Sequence, residues 1–289
     1  MRFNICTNLR NGVGLQADYE LLRHELEQRG HTVRGVQFNA KPLVANPADV
    51  NIFLEVVAPE VFKTAPVQWV VPNPEWWFAG WAAYPWDRVL AKTRDCERIF
   101  RAKMGMKCSY LGWMARDLYQ SAIPRERKFL HVAGKSRFKN THAVINGCDL
   151  VGVPLTVVGE HTSSPRRVDH EELVQLMNSH FCHVMPSAYE GYGQVLHEAQ
   201  GCGQVIITTD APPMNEMPGT VLVPPVSYAV HHAGILHRVT ATDVGKAVRK
   251  VLELPPTAVE LMGHAHRAQF ARDRRAFHTA LDSLVGYMR

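Results

Sequence analysis

Two glutamates, Glu190 and Glu198, stand eight positions apart around a Gly-Tyr-Gly turn at 191–193. An apolar strand pattern at 182–185 leads into the turn, and a helical pattern follows it. Amides at a helix start attract phosphate, and a carboxylate can accept hydrogen bonds from two neighbouring hydroxyls. The segment therefore predicts a site for a ligand that carries both phosphate and sugar. The alternative is that the two acids only favour the helix dipole or face solvent.

A basic loop follows the predicted strand at 129–133. It contains Lys135, Arg137 and Lys139, and it leads into another helical pattern. Cationic side chains beside helix-start amides can bind a phosphate group without a metal. The loop is therefore a second candidate element of a phosphate-binding site. A solvated basic loop is the alternative.

The full string around the two glutamates runs Pro-Ser-Ala-Tyr-Glu-Gly-Tyr-Gly at 186–193 and continues to Cys-Gly at 202–203. It resembles the donor-binding signature of the retaining glycosyltransferases of family 4 and their relatives. The resemblance implies a catalytic role for Glu190, which would hold hydroxyls of the transferred sugar, and a ribose-binding role for Glu198. Three residues of the turn would bind substrate through their amides: Gly191, Tyr192 and Gly193.

The basic loop is similar to the same family's Gly-Arg-x4-Lys-Gly segment, whose two cations grip the diphosphate. Lys135 aligns with the arginine and Lys139 with the lysine, with one residue fewer between them, and Asn140 replaces the final glycine. The resemblance implies that Lys135 and Lys139 are catalytic, because they would stabilise the charge on the departing diphosphate, and that Arg137 binds substrate. Further on, the loop at 208–216 carries two prolines where the family usually has Gly-Gly-x-x-Glu, and Glu216 keeps the acidic position. We therefore add Glu216 to the substrate-binding residues.

A Gly-x-Gly segment, Gly12 to Gly14, follows the first predicted strand and opens a helix. A tight turn explains such a segment equally well, but in the resembled fold this loop faces the diphosphate and the acceptor. We predict that Gly12 and Gly14 bind substrate. The family often has a histidine after the fourth strand of this half. Here Asn73 and Glu75 are the candidate replacements.

Five of the six tryptophans lie between 69 and 86. Core packing and stacking on an acceptor or a membrane surface are equally supported. The histidines at 180 and 183, and at 231, 232 and 237, have no second cluster at zinc spacing, so we predict no metal site.

Strand and helix patterns alternate through both halves of the chain, which indicates α/β folding with parallel sheets. We predict two Rossmann-like doubly wound domains facing each other across a cleft, the GT-B architecture. The predicted acceptor domain covers 1–115 and a polar linker covers 116–128. The nucleotide-sugar domain covers 129–265, and a C-terminal helix at 266–289 packs back on the N-terminal domain.

Composition narrows the class of protein further. The chain has 289 residues, of which 46% are hydrophobic and 20% charged, and its six cysteines are scattered. No apolar run reaches the roughly 18 residues of a membrane span. These features predict a soluble cytoplasmic protein with reduced thiols, no signal peptide and no transmembrane segment. The net charge of +5 suits an anionic ligand.

Together these observations predict a glycosyltransferase, specifically a hexosyltransferase, that moves a sugar from a nucleoside-diphosphate sugar to an acceptor hydroxyl with retention of configuration. The resemblance favours a UDP-sugar such as UDP-glucose over a GDP-sugar, with no further cofactor. The acceptor is left open among a glycan, a lipid and a modified nucleic acid. Two alternatives stay open: a DNA-modifying enzyme that acts on a hydroxylated base, and a nucleotide-sugar-binding protein without catalysis.

Overall fold

The computed structural model describes residues 1–10, 12, 14–160 and 166–286. Its internal contacts divide the chain into two compact units, Met1–Leu111 and Gly112–Arg289. The predicted domain boundaries and the predicted packing of the last helix on the N-terminal domain stay predictions.

The first unit is a parallel α/β sheet of six strands in the order β2-β1-β3-β4-β5-β6. Its helices follow the apolar periodicity of the sequence, and Gly30, with a φ of 75°, comes just after the first of them, where glycine commonly ends a helix. The elements are β1 Arg2–Thr7, α1 Gly14–Gln28, β2 Thr32–Gln37, β3 Val50–Leu54, β4 Val67–Val71, β5 Arg88–Ala91, α2 Arg94–Met104 and β6 Cys108–Tyr110.

The tryptophan-rich segment divides between core and surface. Trp69, Trp77 and Trp86 are buried, and the Trp86 ring packs edge-on against Phe53 at 5.2 Å. Trp76, in contrast, keeps 41% of its surface exposed. The core interpretation is therefore confirmed for three of these tryptophans.

The second unit contains a five-stranded parallel sheet in the order β11-β10-β9-β7-β8 and a separate two-stranded antiparallel hairpin. Its elements are β7 Glu126–Gly134, α3 Thr141–Val151, β8 Leu155–Gly159, α4 His170–Ser179, β9 His180–Met185, α5 Gln194–Gly201, β10 Val205–Thr209, β11 Val221–Val223, β12 Ser227–His231, β13 Gly234–Arg238, α6 Ala241–Leu252 and α7 Pro256–Gly286.

Helices cover both faces of this sheet, which the alternating pattern predicts. On one face Val144 of α3 and Val244 of α6 pack into a buried cluster with β9 and β10. On the other face Met177 of α4 and Leu196 of α5 pack in a second cluster. Asp169 caps α4, because its carboxylate accepts a hydrogen bond from the Glu172 amide at 2.8 Å.

Strand β7 begins earlier than the sequence predicts. Glu126 already pairs with His180 of β9, so the strand extends into the segment that was predicted as linker. Residues 126–128 are charged, so a pattern of hydrophobic residues does not identify them as the start of a strand. Among the described residues, no helix has the length and apolar character needed to cross a membrane.

Candidate functional site

The predicted donor-binding loops start at one edge of the second sheet. Strands β7 and β9 are parallel neighbours, so the loops that follow them, 134–140 and 186–193, leave from the same edge. The loops are bonded to each other, since the Ala188 amide donates to the Phe138 carbonyl at 2.6 Å. The sheet topology thus brings the basic loop and the glutamate loop together.

Lys139 and Glu190 form an ion pair between these two loops. Their side chains are only 12% and 13% exposed, so the pair is shielded from solvent yet not enclosed. Residues 51 positions apart, both singled out from sequence, are therefore in direct contact.

Asn140 explains how the basic loop tolerates a departure from the glycine of the resembled family. It adopts a left-handed conformation with a φ of 50°, which asparagine accepts more readily than most residues. Its side-chain amide donates to the carbonyl of Pro186 at 2.8 Å and to that of His237 at 3.2 Å. The substitution keeps the backbone geometry and adds bonds to the glutamate loop and to strand β13.

Gly193 lies at the start of α5 with a φ of 83°, in the region that favours glycine. A Cβ there would lie 3.1 Å from Leu196 and 3.4 Å from the Glu190 side chain. The Tyr192 ring stacks on His197, with centroids 3.9 Å apart. Gly191 and Tyr192 are both buried. These contacts pack the turn tightly just before the first amides of the helix.

Glu198 lies inside α5 with only 1% of its surface exposed. Its Oε1 accepts from Nε and Nη2 of Arg116, each at 2.7 Å. Arg116 was not a predicted site residue. Nothing in its local sequence distinguishes it, because its partner comes 82 positions later.

The remaining predicted residues of the second unit lie further out. Lys135 and Arg137 are exposed, and the Arg137 guanidinium lies 5.7 Å from the Phe138 ring centroid. Glu216 is also exposed, at the end of a short 3-10 turn after β10. Of the predicted set in this unit, Lys139 and Glu190 are joined directly.

The predicted Gly-x-Gly residues lie in the first unit. Gly12 has a φ of 71°, and its amide donates to the Gln16 side chain at 3.1 Å. Gly14 is the first residue of α1. The intervening Val13 and the preceding Asn11 are outside the described residues.

A buried polar cluster at the carboxyl edge of the first sheet was not predicted. Lys92, 1% exposed, lies 3.0 Å from Asp18. Burial raises the pKa of Glu55 to about 7, although the positive charge of Lys92 lowers that pKa in part. Asn73, a candidate from the sequence, donates a hydrogen bond to Glu55. Polar groups that lie one or two residues beyond the ends of β3, β4 and β5 thus meet at one edge of the sheet.

In the described parts of the chain, no three His, Cys, Asp or Glu residues are grouped so that they could hold a metal ion. The six cysteines are free and buried.

Two buried histidines of the second sheet make stability depend on pH. His131 and His183 are fully buried, and this burial lowers the pKa of His131 to about 4 and that of His183 to about 3. Nδ1 of His131 lies 2.6 Å from the Val184 carbonyl oxygen, so the neutral ring donates there. Both histidines favour the folded state above the unfolded pKa of about 6.5, and this contribution is lost as the pH falls toward their folded values.

We therefore expect the free energy of unfolding to fall by about 1.4 kcal/mol per histidine per pH unit below pH ~6.5. Urea unfolding between pH 7 and pH 5 measures the slope. His183→Leu is expected to reduce this slope by the contribution of one histidine, about 1.4 kcal/mol per pH unit. His264→Gln, at an exposed histidine, is the control. An unchanged slope in His183→Leu would contradict the assignment.

Comparison with known proteins agrees with this architecture. Residues 155–262 match the model of the family described as Glycosyl transferases group 1. No curated protein matches the sequence.

Several solved structures share the fold of the whole chain. Sucrose-phosphate synthase from Thermosynechococcus elongatus is 13% identical, with a TM-score of 0.76 over 100% of this chain and 99% of its own. HepE from Anabaena, solved with UDP and glucose, is 12% identical with a TM-score of 0.70, over 99% of this chain and 100% of its own. WaaG, a glycosyltransferase involved in lipopolysaccharide biosynthesis, is 13% identical with a TM-score of 0.66, over 96% and 99%.

These findings confirm the predicted two-domain GT-B fold. The match at 155–262 and the shared fold support the prediction that the chain is a glycosyltransferase.

Proposed function

We propose that this glycosyltransferase transfers a hexose from a UDP-sugar to an acceptor hydroxyl with retention of anomeric configuration. The observation that carries the proposal is the Lys139–Glu190 pair beside the start of α5. It combines a cation for phosphate, a carboxylate for sugar hydroxyls and helix-start amides in one place.

In the proposed reaction, the bond between the sugar and the diphosphate breaks, and a new bond forms between the same sugar carbon and the acceptor oxygen. Negative charge grows on the departing diphosphate. The ammonium group of Lys139 and the amides at the start of α5 stabilise that charge, and Lys135 and Arg137 extend the cationic surface outward. The acceptor proton passes to the departing diphosphate, so no separate base is needed.

Glu190 has the complementary role in this proposal. Its carboxylate accepts hydrogen bonds from hydroxyls of the transferred sugar and keeps the ring oriented as it gains positive charge. The carboxylate is paired with Lys139, the group proposed to hold the phosphate. Sugar and leaving group are therefore bound by adjacent side chains.

Glu198 is proposed to hold the ribose. Its carboxylate lies on α5 eight positions beyond Glu190, and the bond from Arg116 fixes one of its oxygens. We expect Glu198→Ala to weaken UDP binding by about 10- to 100-fold, the effect of losing hydrogen bonds to a charged group. Isothermal titration with UDP measures it.

The exposed Glu253 provides a matched control for this measurement, because Glu253→Ala removes a carboxylate of the same unit at its surface. It is expected to bind UDP as the wild type does. UDP binding of wild-type strength in Glu198→Ala would overturn the ribose assignment.

A uridine donor is favoured by the similar structure of HepE, which was solved with UDP and glucose. Hydrolysis and transfer with a panel of UDP- and GDP-sugars test this choice, with glycan, lipid and nucleic-acid acceptors. NMR of the product's anomeric proton then tests retention. Transfer from GDP-sugars alone, or an inverted product, would contradict the respective part of the proposal.

A further inference from the structure

The hairpin formed by β12 and β13 presents large apolar side chains to solvent. Tyr228 is 75% exposed and Val230 is 76% exposed, with Val226 before them at 58% and Ile235 across from Val230 at 39%. Side chains two positions apart on a strand share a face, and so do directly paired residues. We call this group of four residues the outer face of the hairpin.

The opposite face of the hairpin is held against the donor-binding loops. The His231 ring lies 5.3 Å from that of Phe138, and a Cβ at Gly234 would come within 3.3 Å of the Tyr189 ring. The His237 amide donates to the Ala188 carbonyl at 2.8 Å. A two-stranded hairpin is marginal alone, so these contacts fix its orientation and leave the outer face uncovered.

The hairpin carries basic side chains and no acidic ones. The segment 224–240 contains no aspartate or glutamate, whereas it carries Arg238 and three histidines. Arg137 belongs to the adjacent loop and acts electrostatically on His231. Exposed apolar side chains with a basic surround fit the boundary of an anionic bilayer, where apolar groups insert and cations meet lipid headgroups.

The outer face is too small for a stable dimer. Five-residue strands are about 17 Å long and lie about 5 Å apart, so a two-stranded face covers roughly 200 Å². A stable protein interface buries about 800 Å² on each partner. A membrane surface needs no such area, because a few inserted side chains and basic groups act together.

We propose that the outer face of the β12–β13 hairpin docks on the surface of an anionic membrane. The docking brings the donor-binding loops, which hold the hairpin, close to the lipid headgroups. The surface is separate from the side chains proposed for donor binding, so its loss leaves UDP binding intact.

Vesicle flotation tests this inference with the full chain. Wild-type protein is expected to float with phosphatidylcholine vesicles that contain phosphatidylglycerol, and to lose that binding in phosphatidylcholine alone or at high salt. The double variant Tyr228→Ser/Val230→Ser is expected to bind the anionic vesicles at least about tenfold more weakly. Arg238→Gln is expected to weaken binding and its dependence on salt.

Leu150→Ser is the matched control, since Leu150 is 60% exposed on α3 of the same unit. It is expected to float as the wild type does, and UDP titration confirms that each variant is folded. The inference is overturned if wild-type protein does not float with anionic vesicles, or if the double variant floats equally well. It is also overturned if the double variant abolishes a dimer, seen by analytical ultracentrifugation, without changing vesicle binding.

Discussion

Glu190→Ala is expected to lower kcat/KM for sugar transfer by about 10²- to 10³-fold, the usual cost of removing one preorganised group that acts on transition-state charge. The variant loses the carboxylate that orients the sugar ring, and it leaves Lys139 without its ion-pair partner. Initial rates at varied donor concentration measure the change. Because the side chain is only 13% exposed, the thermal midpoint of each variant is measured alongside.

The paired lysine offers the second half of the same experiment. Lys139→Ala is expected to cause a loss of similar size, and the double variant is expected to lose less than the two single losses combined, because the side chains act on one another. Glu171→Ala, an exposed acid in the same unit, is the control and is expected to keep full activity. Full activity in Glu190→Ala or Lys139→Ala, with unchanged stability, would remove that residue from the reaction.

Lys92→Met is expected to lower the free energy of unfolding by about 3–5 kcal/mol, the cost of leaving a buried charge without its partner. Burial alone would lower the pKa of Lys92, yet Asp18 and Glu55 raise it above its ordinary value, so the ammonium stays charged. Its removal would leave the 5%-exposed Asp18 carboxylate uncompensated. Urea unfolding at pH 7 measures the difference.

Two further variants separate the charge effect from lost packing. Lys63→Met changes an exposed lysine of the same unit and is expected to shift stability by less than about 0.5 kcal/mol. Lys92→Met combined with Asp18→Asn removes both charges and is expected to recover part of the loss. A loss below about 1 kcal/mol in Lys92→Met alone would contradict the inference that the buried Asp18 carboxylate depends on Lys92 for charge compensation.

Much of the fold follows from local pattern. The apolar runs at β4 and β11 coincide with the strands in the structure, and Gly30 and Asp169 mark a helix end and a helix start as their types predict. These features depend on residues within one or two turns of each other. These features can therefore be predicted from the sequence alone.

The hairpin β12–β13 was not predicted because its sequence does not look like a pair of half-buried strands. Tyr228, Val230 and Ile235 are typical strand residues. However, the segment also contains three histidines, and β12 is exposed on both faces, so its apolar and polar residues do not alternate clearly. The hairpin is defined by contacts with loops more than 30 positions earlier, such as the bond from His237 to Ala188. Such contacts have no local signal.

The sequence singled out acidic and cationic residues of the candidate site, but it did not identify the residues that pair with them. The Lys139–Glu190 pair follows from two motifs that the sheet topology places side by side. Arg116 on Glu198 and Lys92 on Asp18 join residues 82 and 74 positions apart. Neither arginine nor lysine carries a motif around it, so only the folded chain reveals these pairs.

The most direct test of the proposed site is a crystal structure of the protein with UDP bound. The ribose hydroxyls are expected within hydrogen-bond distance of the Glu198 carboxylate, and the diphosphate is expected on Lys139 and the amides at the start of α5. A nucleotide bound with its ribose away from Glu198 and its diphosphate away from Lys139 would contradict the proposed donor site.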